Sequence, residues 1–274
     1  MGSVGISLAG SDKIIISDCI SHHNKGDGLY IGVNAPIATL PKPATNVQVA
    51  GGFYHCNGNS GIAVVSGFDN ASPTNIQLLN NSVLRNDGRG INIEAGWNVL
   101  ISNPTAVDNG NAGIWLENLP KDQSNTRTIR VQITNPFVYN NGRLVNVNLA
   151  GIGLRAVNQV NINGGKIFKT HPTSHQNYGI GLYVCNADTS CVNLRILDVD
   201  ASTGEIKPVE PLDLVMHLHK HISFMNLFMG YASQDDRFMG VVILMAMPCL
   251  FYGTAIAVVT GTCVHCLGGD SLDN

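Results

Sequence analysis

The sequence predicts an all-β chain wound into a parallel β-helix, a solenoid of about seven turns over residues 5 to 200. Three observations predict it. Between residues 24 and 116 the chain repeats Asn-x-x-x-Gly followed by two apolar residues flanking a variable one: Asn24 to Gly28-Leu-Tyr-Ile, Asn57 to Gly61-Ile-Ala-Val, Asn86 to Gly90-Ile-Asn-Ile and Asn109 to Gly113-Ile-Trp-Leu. Standing 15 residues before those glycines, Lys13, Asn46, Asn75 and Asn98 each open a second apolar pair. Successive repeats lie 23 to 38 residues apart with no helical period between them, so each strand finds its partner by coiling beneath its equivalent one turn on.

The elements follow in order. Glycine strands are predicted at Gly5-Ile-Ser-Leu, at the four motif copies, and at Gly151-Ile-Gly-Leu and Gly179-Ile-Gly-Leu. The second set follows Lys13, Asn46, Asn75 and Asn98, with inward pairs Ile14/Ile16, Val47/Val49, Ile76/Leu78 and Val99/Ile101. Their intervening residues, Gln48, Gln77, Leu100, Gln132, Asn161 and Asn193, are mostly polar and are expected to face solvent. Stacked Asn side chains are suited to a sharp turn, where they satisfy backbone groups and one another. The adjacent Gly is expected to adopt angles other residues resist. The longest loops leave after residues 31 and 116.

A net charge of -3 with 13% charged residues, and no basic stripe, excludes an electrostatic nucleic-acid binder. No signal peptide is readable at Met1-Gly-Ser-Val-Gly-Ile, and the chain enters its first turn without a capping helix; we expect a fragment whose true start lies upstream. An uncovered solenoid end is expected to be blocked by homotrimerisation, by a lost cap or by the tail.

Composition breaks near residue 200, with 28 of 30 Asn before it and six of seven Met after it. The expected organisation is a β-helix over 1–200, a linker or amphipathic segment over 201–238, and a hydrophobic tail over 239–269 that carries no Asp, Glu, Lys or Arg. The tail is long enough to span a bilayer and reads as a membrane anchor, against a hydrophobic cap or a shifted-frame tail that never folds with the rest. Positive-inside bias would put the β-helix in the cytoplasm. The seven Cys make no regular framework. Neither His217/His219/His221 nor Cys263-Val-His-Cys266 has a matching second half, so no metal site is expected.

Outward columns on the glycine strands can be read from the repeat. One runs Tyr30, Ala63, Asn92, Trp115, Gly153, Gly181; the next runs Gly32, Val65, Glu94, Glu117, Arg155, Tyr183. Glu94 and Glu117 should therefore be lateral neighbours, with Arg155 one turn further and Trp115 offering a flat face to a sugar ring. Two carboxylates at that spacing suit an acid and base pair, as in a retaining glycosidase, and a lone base beside Arg155 suits proton abstraction next to a uronate. Tyr30 and Asn92 complete a substrate-binding face. Asp87 and Arg89, in the Asn86 turn, reach the same groove or serve turn chemistry. His22, His23 and His55 read as solvent-facing or structural, with a general base as the sharper alternative.

Residues 5 to 200 resemble the pectate-lyase-like superfamily of right-handed parallel β-helices. The resemblance rests on the Asn ladder and the two strand types, as in Asn75-Ile-Gln-Leu followed by Asn86-Asp-Gly-Arg-Gly-Ile-Asn-Ile. That superfamily includes pectate and alginate lyases, polygalacturonases, mannuronan epimerases and phage tailspike depolymerases. It implies a right-handed coil, an acidic polysaccharide partner and an extracellular or cell-surface location. No cofactor is expected, with calcium implied only if the chain is a lyase. Gly26-Asp-Gly-Leu-Tyr-Ile echoes the polygalacturonase Gly-Asp-Asp, with one carboxylate in place of two. Asn59-Ser-Gly stands where that family has His-Gly, and Arg195-Ile-Leu where it has Arg-Ile-Lys. The mannuronan epimerase Asp-Pro-His is absent, so no subfamily is identified. The expected function is cleavage of an acidic polysaccharide by a lyase or glycoside hydrolase, with Glu94, Glu117 and Arg155 catalytic. The alternative is a non-catalytic binding or structural solenoid, adhesin-like or tailspike-like.

Overall fold

The computed structural model describes residues 3–34, 41–66, 71–117, 130–145, 149–171, 173–183 and 192–200, together with the strand backbone of 222–225, 227–231 and 239–243. It is a right-handed parallel β-helix with three faces. The glycine face stacks Ile6–Ala9, Leu29–Asn34, Ile62–Val65, Ile91–Glu94, Ile114–Glu117, Leu149–Arg155 and Gln176–Tyr183 in parallel. The asparagine face stacks Asp12–Ser17, Thr45–Ala50, Thr74–Leu79, Trp97–Ser102, Val131–Thr134, Asn158–Asn163 and Val192–Leu197. A third face of short strands, from Ile20–His22 through Phe53–His55, Ser82–Leu84, Thr105–Val107 and Phe137–Tyr139 to Lys166–Phe168, closes each turn. The repeat did not reveal these short strands because each has a single central residue turned into the core, Tyr54, Val83, Ala106, Val138 and Ile167 among them, and one inward residue makes no alternation.

Lateral register turns the repeat into a core. Leu29, Ile62, Ile91, Ile114, Ile152 and Ile180 form one buried stack, and Val47, Ile76, Val99, Val131, Val160 and Leu194 form another. Corners are made by residues with positive φ. The corner opening the asparagine strands has Lys13, Asn46, Asn75, Asn98 and Gln159 at φ 53 to 58, and the corner after them has Asp18, Gly51, Asn80, Asn103, Asn135, Gly164 and Asp198 at φ 47 to 66. Asn and Asp tolerate this region better than other side chains, which is why the corners read as Asn in the sequence.

The Asn ladder sits inside the bend from the short face to the glycine face. Asn24, Asn57, Asn86 and Asn109 each donate from Nδ2 to the Oδ1 of the next member, at 2.8 to 3.0 Å, ending on Asn141. Asn141 donates in turn to Gln176 Oε1 at 2.9 Å. Each Oδ1 also accepts the backbone N–H of the preceding member. Asn141 and Gln176 extend the ladder past the Asn-x-x-x-Gly motif, because the ladder needs stacked amides and not a fixed distance to the glycine.

One register expectation is corrected. The outward neighbour of Asn161 is Arg195, not Asn193. A slip of two residues keeps every side chain on its own face, so alternation cannot detect it.

Beyond residue 200, Ile222–Met225 pairs in parallel with Val192–Leu197, and Leu227–Tyr231 pairs antiparallel with Met239–Ile243. These strands fall partly within the stretch expected as a linker. The rest of the proposed tail, including Cys263 and Cys266, and His217, His219 and His221 lie outside the described residues. Among the described residues no helix is long and apolar enough to cross a membrane.

Candidate functional site

The glycine face carries a cluster of interlocked charges. Glu94 and Glu117 are direct lateral partners, Arg155 lies opposite Glu117 on the following strand, and Tyr183 opposite Arg155. In the adjacent column Ala63, Asn92, Trp115 and Gly153 are partners in the same way, with Tyr30 opposite Ala63. Arg89 enters from the turn before Ile91. Its Nη1 donates to Asn92 Oδ1 at 2.7 Å and Glu94 Oε1 at 2.9 Å, and its Nη2 lies 3.6 Å from Glu117 Oε2. Arg155 Nη1 lies 2.7 Å from Glu117 Oε1, and Trp115 Nε1 donates to Glu117 Oε2 at 2.9 Å. The Arg155 contact is ionic without hydrogen-bond alignment, and Glu117 Oε1 is a buried oxygen that no donor satisfies. The repulsion expected between two adjacent carboxylates is therefore answered by a guanidinium that touches both and a second that touches one.

Burial separates the roles. The Glu117 side chain is 3% exposed and Glu94 18%, against 24% for Arg89 and 40% for Arg155. The carboxylates are inside and the guanidiniums outside. Trp115 is also buried, at 7% exposed. Arg89 covers it, with its guanidinium carbon 4.7 Å from the ring centroid, and Tyr183 packs 5.0 Å away. The ring lies across Gly153, where a Cβ would collide with it. The expectation of an open sugar platform at Trp115 is thereby corrected: its neighbours have already taken its faces. Asn92 is buried too, bridging Arg89 and Glu94.

Tyr30 lies across Gly32 two strands from Glu94, half-buried. Burial pushes its phenol up, with the charges of Asp27 and Glu94 adding to the effect. Asp27 is 8% exposed, and its Oδ1 accepts the Ser60 N–H at 2.9 Å. Burial pushes its carboxyl up, the hydrogen bonds from Ser60 oppose this, and Glu94 raises it further. Asp87 turns away from the cluster to pair with Arg143 at 3.0 Å. His22 and His55 stack at 5.0 Å on the short-strand face, a different face from the cluster. The sequence thus brings Glu94, Glu117, Arg155, Trp115, Asn92 and Arg89 together, leaves Tyr30 at the edge, and puts Asp87 elsewhere. It did not signal that Arg89 bridges both carboxylates, nor that Asp27 is coupled to Glu94, because both residues lie in the turn before a strand, where alternation says nothing about direction.

A calcium ion does not fit this cluster. Its carboxylates are held by two guanidiniums, and among the described residues no group of three or more His, Cys, Asp or Glu is arranged to hold a metal.

No family model matches the chain, and no curated protein does. Solved structures do. The A-module of mannuronan C-5 epimerase AlgE6 from Azotobacter vinelandii aligns at a TM-score of 0.55 and 16% identity, over 75% of this chain and 52% of that one. The likeness is one of fold, a right-handed parallel β-helix. The AlgE4 A-module from the same organism aligns at a TM-score of 0.49 and 16% identity over 71% of this chain and 51% of its own. Pectate lyase Pel9A aligns at 0.38 and 11% identity, over 70% and 55%. The chain spans about half the length of these proteins, and at such identities the likeness concerns the fold.

Proposed function

We propose that this chain is a carbohydrate-active β-helix that acts on an acidic polysaccharide, by abstracting a proton next to a uronate carboxylate rather than by hydrolysing a glycoside. The observation that carries the reading is the order of burial: Arg155, 40% exposed, stands in front of Glu117, 3% exposed. A retaining glycosidase needs two carboxylates that both reach the sugar, and Glu117 has one oxygen on Trp115 and the other against Arg155. Arg155 instead meets the carboxylate of the substrate and neutralises it, which acidifies the ring proton beside that carboxylate. Glu117 orients Arg155, and Glu94, the more exposed carboxylate, accepts the proton. In elimination the released electron pair forms the C4–C5 double bond, the C4–O bond breaks, and the departing oxygen takes a proton from solvent. C-5 epimerisation shares the first step and differs in returning a proton to the other side of the ring.

A second reading is favoured by one feature. Arg89, Glu94, Glu117 and Arg155 are already ion-paired with one another, as in a structural or binding solenoid. The experiment is incubation of the folded protein with a panel of polyuronates and a neutral glucan, following ultraviolet-absorbing unsaturated ends, new reducing ends and column retention. Unsaturated ends, or C-5 inversion seen by proton NMR, are expected from polyuronates alone. Reducing ends without unsaturation would mean hydrolysis, and retention without products would mean binding. Glu117→Gln should cost at least tenfold in the product-forming rate, on the order of one lost charge-assisted contact.

A further inference from the structure

On the short-strand face, away from the charged cluster, the geometry points to a proton-sensitive clasp: His22, His23 and His55 hold two successive turns together while their rings are uncharged, and loosen them in a mildly acidic medium. His22 ends the Ile20–His22 strand, His55 ends the Phe53–His55 strand, and the register places them directly opposite one another. Their rings stack 5.0 Å apart at 15°. His23 follows at the corner with φ 55, and its ring comes back edge-on against the pair, 5.0 Å from His22 and 6.0 Å from His55. The Nδ1 atoms of His22 and His23 are 2.7 Å apart. Two imidazole nitrogens at that distance need one N–H and one bare lone pair, so the ring that accepts is uncharged. A proton added there sets two N–H groups head to head and breaks the contact.

No group of opposite sign is placed to absorb the added charge. On the first turn the ionisable neighbours are Cys19 and Lys25, with Asp18 at the corner beyond the other end of the strand, and on the second turn Cys56. On the turn that packs against His55, Leu84 lies opposite it and Arg85 takes the next corner, paired with Asp108 at 3.7 Å. Among the described residues none of the three imidazoles makes an ion pair. Phe53 packs on His55 at 4.6 Å. Burial pushes the His55 imidazole down from its ordinary value of 6.5, and His22 and His23 push it the same way. The folded state therefore holds that proton less tightly than the unfolded chain. The stability the clasp contributes is complete above 6.5 and is lost as pH falls from there through the folded value. His22 and His23 are exposed, so the repulsion is screened and the loss is modest.

The experiment is amide hydrogen exchange of the whole chain at about pH 7.5 and about pH 5.5, corrected for the intrinsic pH dependence of exchange. It reads the bonds that join the two turns on this face, from the His23 N–H to the Cys56 carbonyl and from the Phe53 N–H to the Cys19 carbonyl. Their protection should fall about threefold on acidification, the opening that a screened contact between like charges produces. The Thr105 N–H, bonded to the Asn81 carbonyl further along the coil, should keep its protection. His22→Gln and His55→Gln should each abolish the fall, and His171→Gln, which alters an exposed histidine outside the trio, should leave it in place. The wild-type protein supplies a second readout that needs no variant: added salt should shrink the fall, because it screens the repulsion between the rings. Equal protection at the two pH values, a fall that persists in both variants, or a fall that salt leaves unchanged overturns the clasp.

Discussion

The Arg89 guanidinium lies over the Trp115 indole, 4.7 Å from carbon to centroid, although the two residues belong to different turns of the coil. The stack joins three things that the repeat keeps apart. It covers a tryptophan, it holds a cation between Glu94 and Glu117, and it leaves the arginine side chain 24% exposed.

Arg89→Ala is expected to destabilise the protein by about 2 kcal/mol, from the lost cation–π contact and two carboxylates deprived of a partner. Arg155 still neutralises Glu117, which keeps the loss below that of stripping a buried charge completely. Arg89→Lys restores the charge without the planar fork and should recover only part of it. Urea midpoints of the three proteins measure this, and equal midpoints for wild type and Arg89→Ala would show that the stack contributes nothing.

Asp27 makes stability depend on pH. Its folded carboxyl is raised above the ordinary value of 3.8 by burial. The folded state therefore holds that proton more tightly than the unfolded chain, and the charged form is penalised as pH climbs from the unfolded value through the folded one. Asp27→Asn keeps an acceptor for the Ser60 N–H and carries no charge. It should be more stable than wild type at neutral pH, with the gap closing below about pH 4. Denaturant titrations at the two pH values test it, and a gap independent of pH would contradict the assignment.

Among the described residues Tyr54 is the largest fully buried side chain, and its hydroxyl has no hydrogen-bond partner. Burial pushes the phenol up strongly. Tyr54→Phe removes the orphan oxygen and keeps the ring, so it should be neutral or stabilising by about 1 kcal/mol. A loss of stability in thermal melts would reveal a partner for the hydroxyl.

The ladders differ in what they support. Asn86 is fully buried, donates to Asn109 and to the Tyr54 carbonyl, and accepts from the backbone and side chain of Asn57. Asn86→Ala strands several of these groups and should cost about 3 kcal/mol or more. Asn75 donates to Asn46 and accepts from Asn98 on the exposed corner. Water can replace those partners, so Asn75→Ala should cost about 1 kcal/mol, part of it from placing Ala at φ 57. Comparable losses would refute the distinction between the two stacks.

The columns of the glycine face were legible before any coordinates, because a strict repeat supplies lateral register: Glu94 beside Glu117, Glu117 beside Arg155 and Trp115 beside Asn92 are observed pairs. The short-strand face was not legible, since Tyr54 or Val83 alone in a three-residue strand gives no period. Nor was Arg195, whose two-residue slip from Asn193 preserves the alternation.

What the amino-acid sequence determined by itself was the winding: which residues turn inward, which amides stack, and which outward residues meet one turn apart. These follow from short-range alternation and from the preference of the positive-φ corners for Asn, Asp and Gly. Tertiary structure decided what those neighbours do. It folded Arg89 back from its turn over Trp115, closed the ring that had promised a platform, and sank Glu117 behind Arg155. Side-chain direction at a bend depends on the charges and surfaces that packing brings within reach, and no periodicity along the chain carries that information.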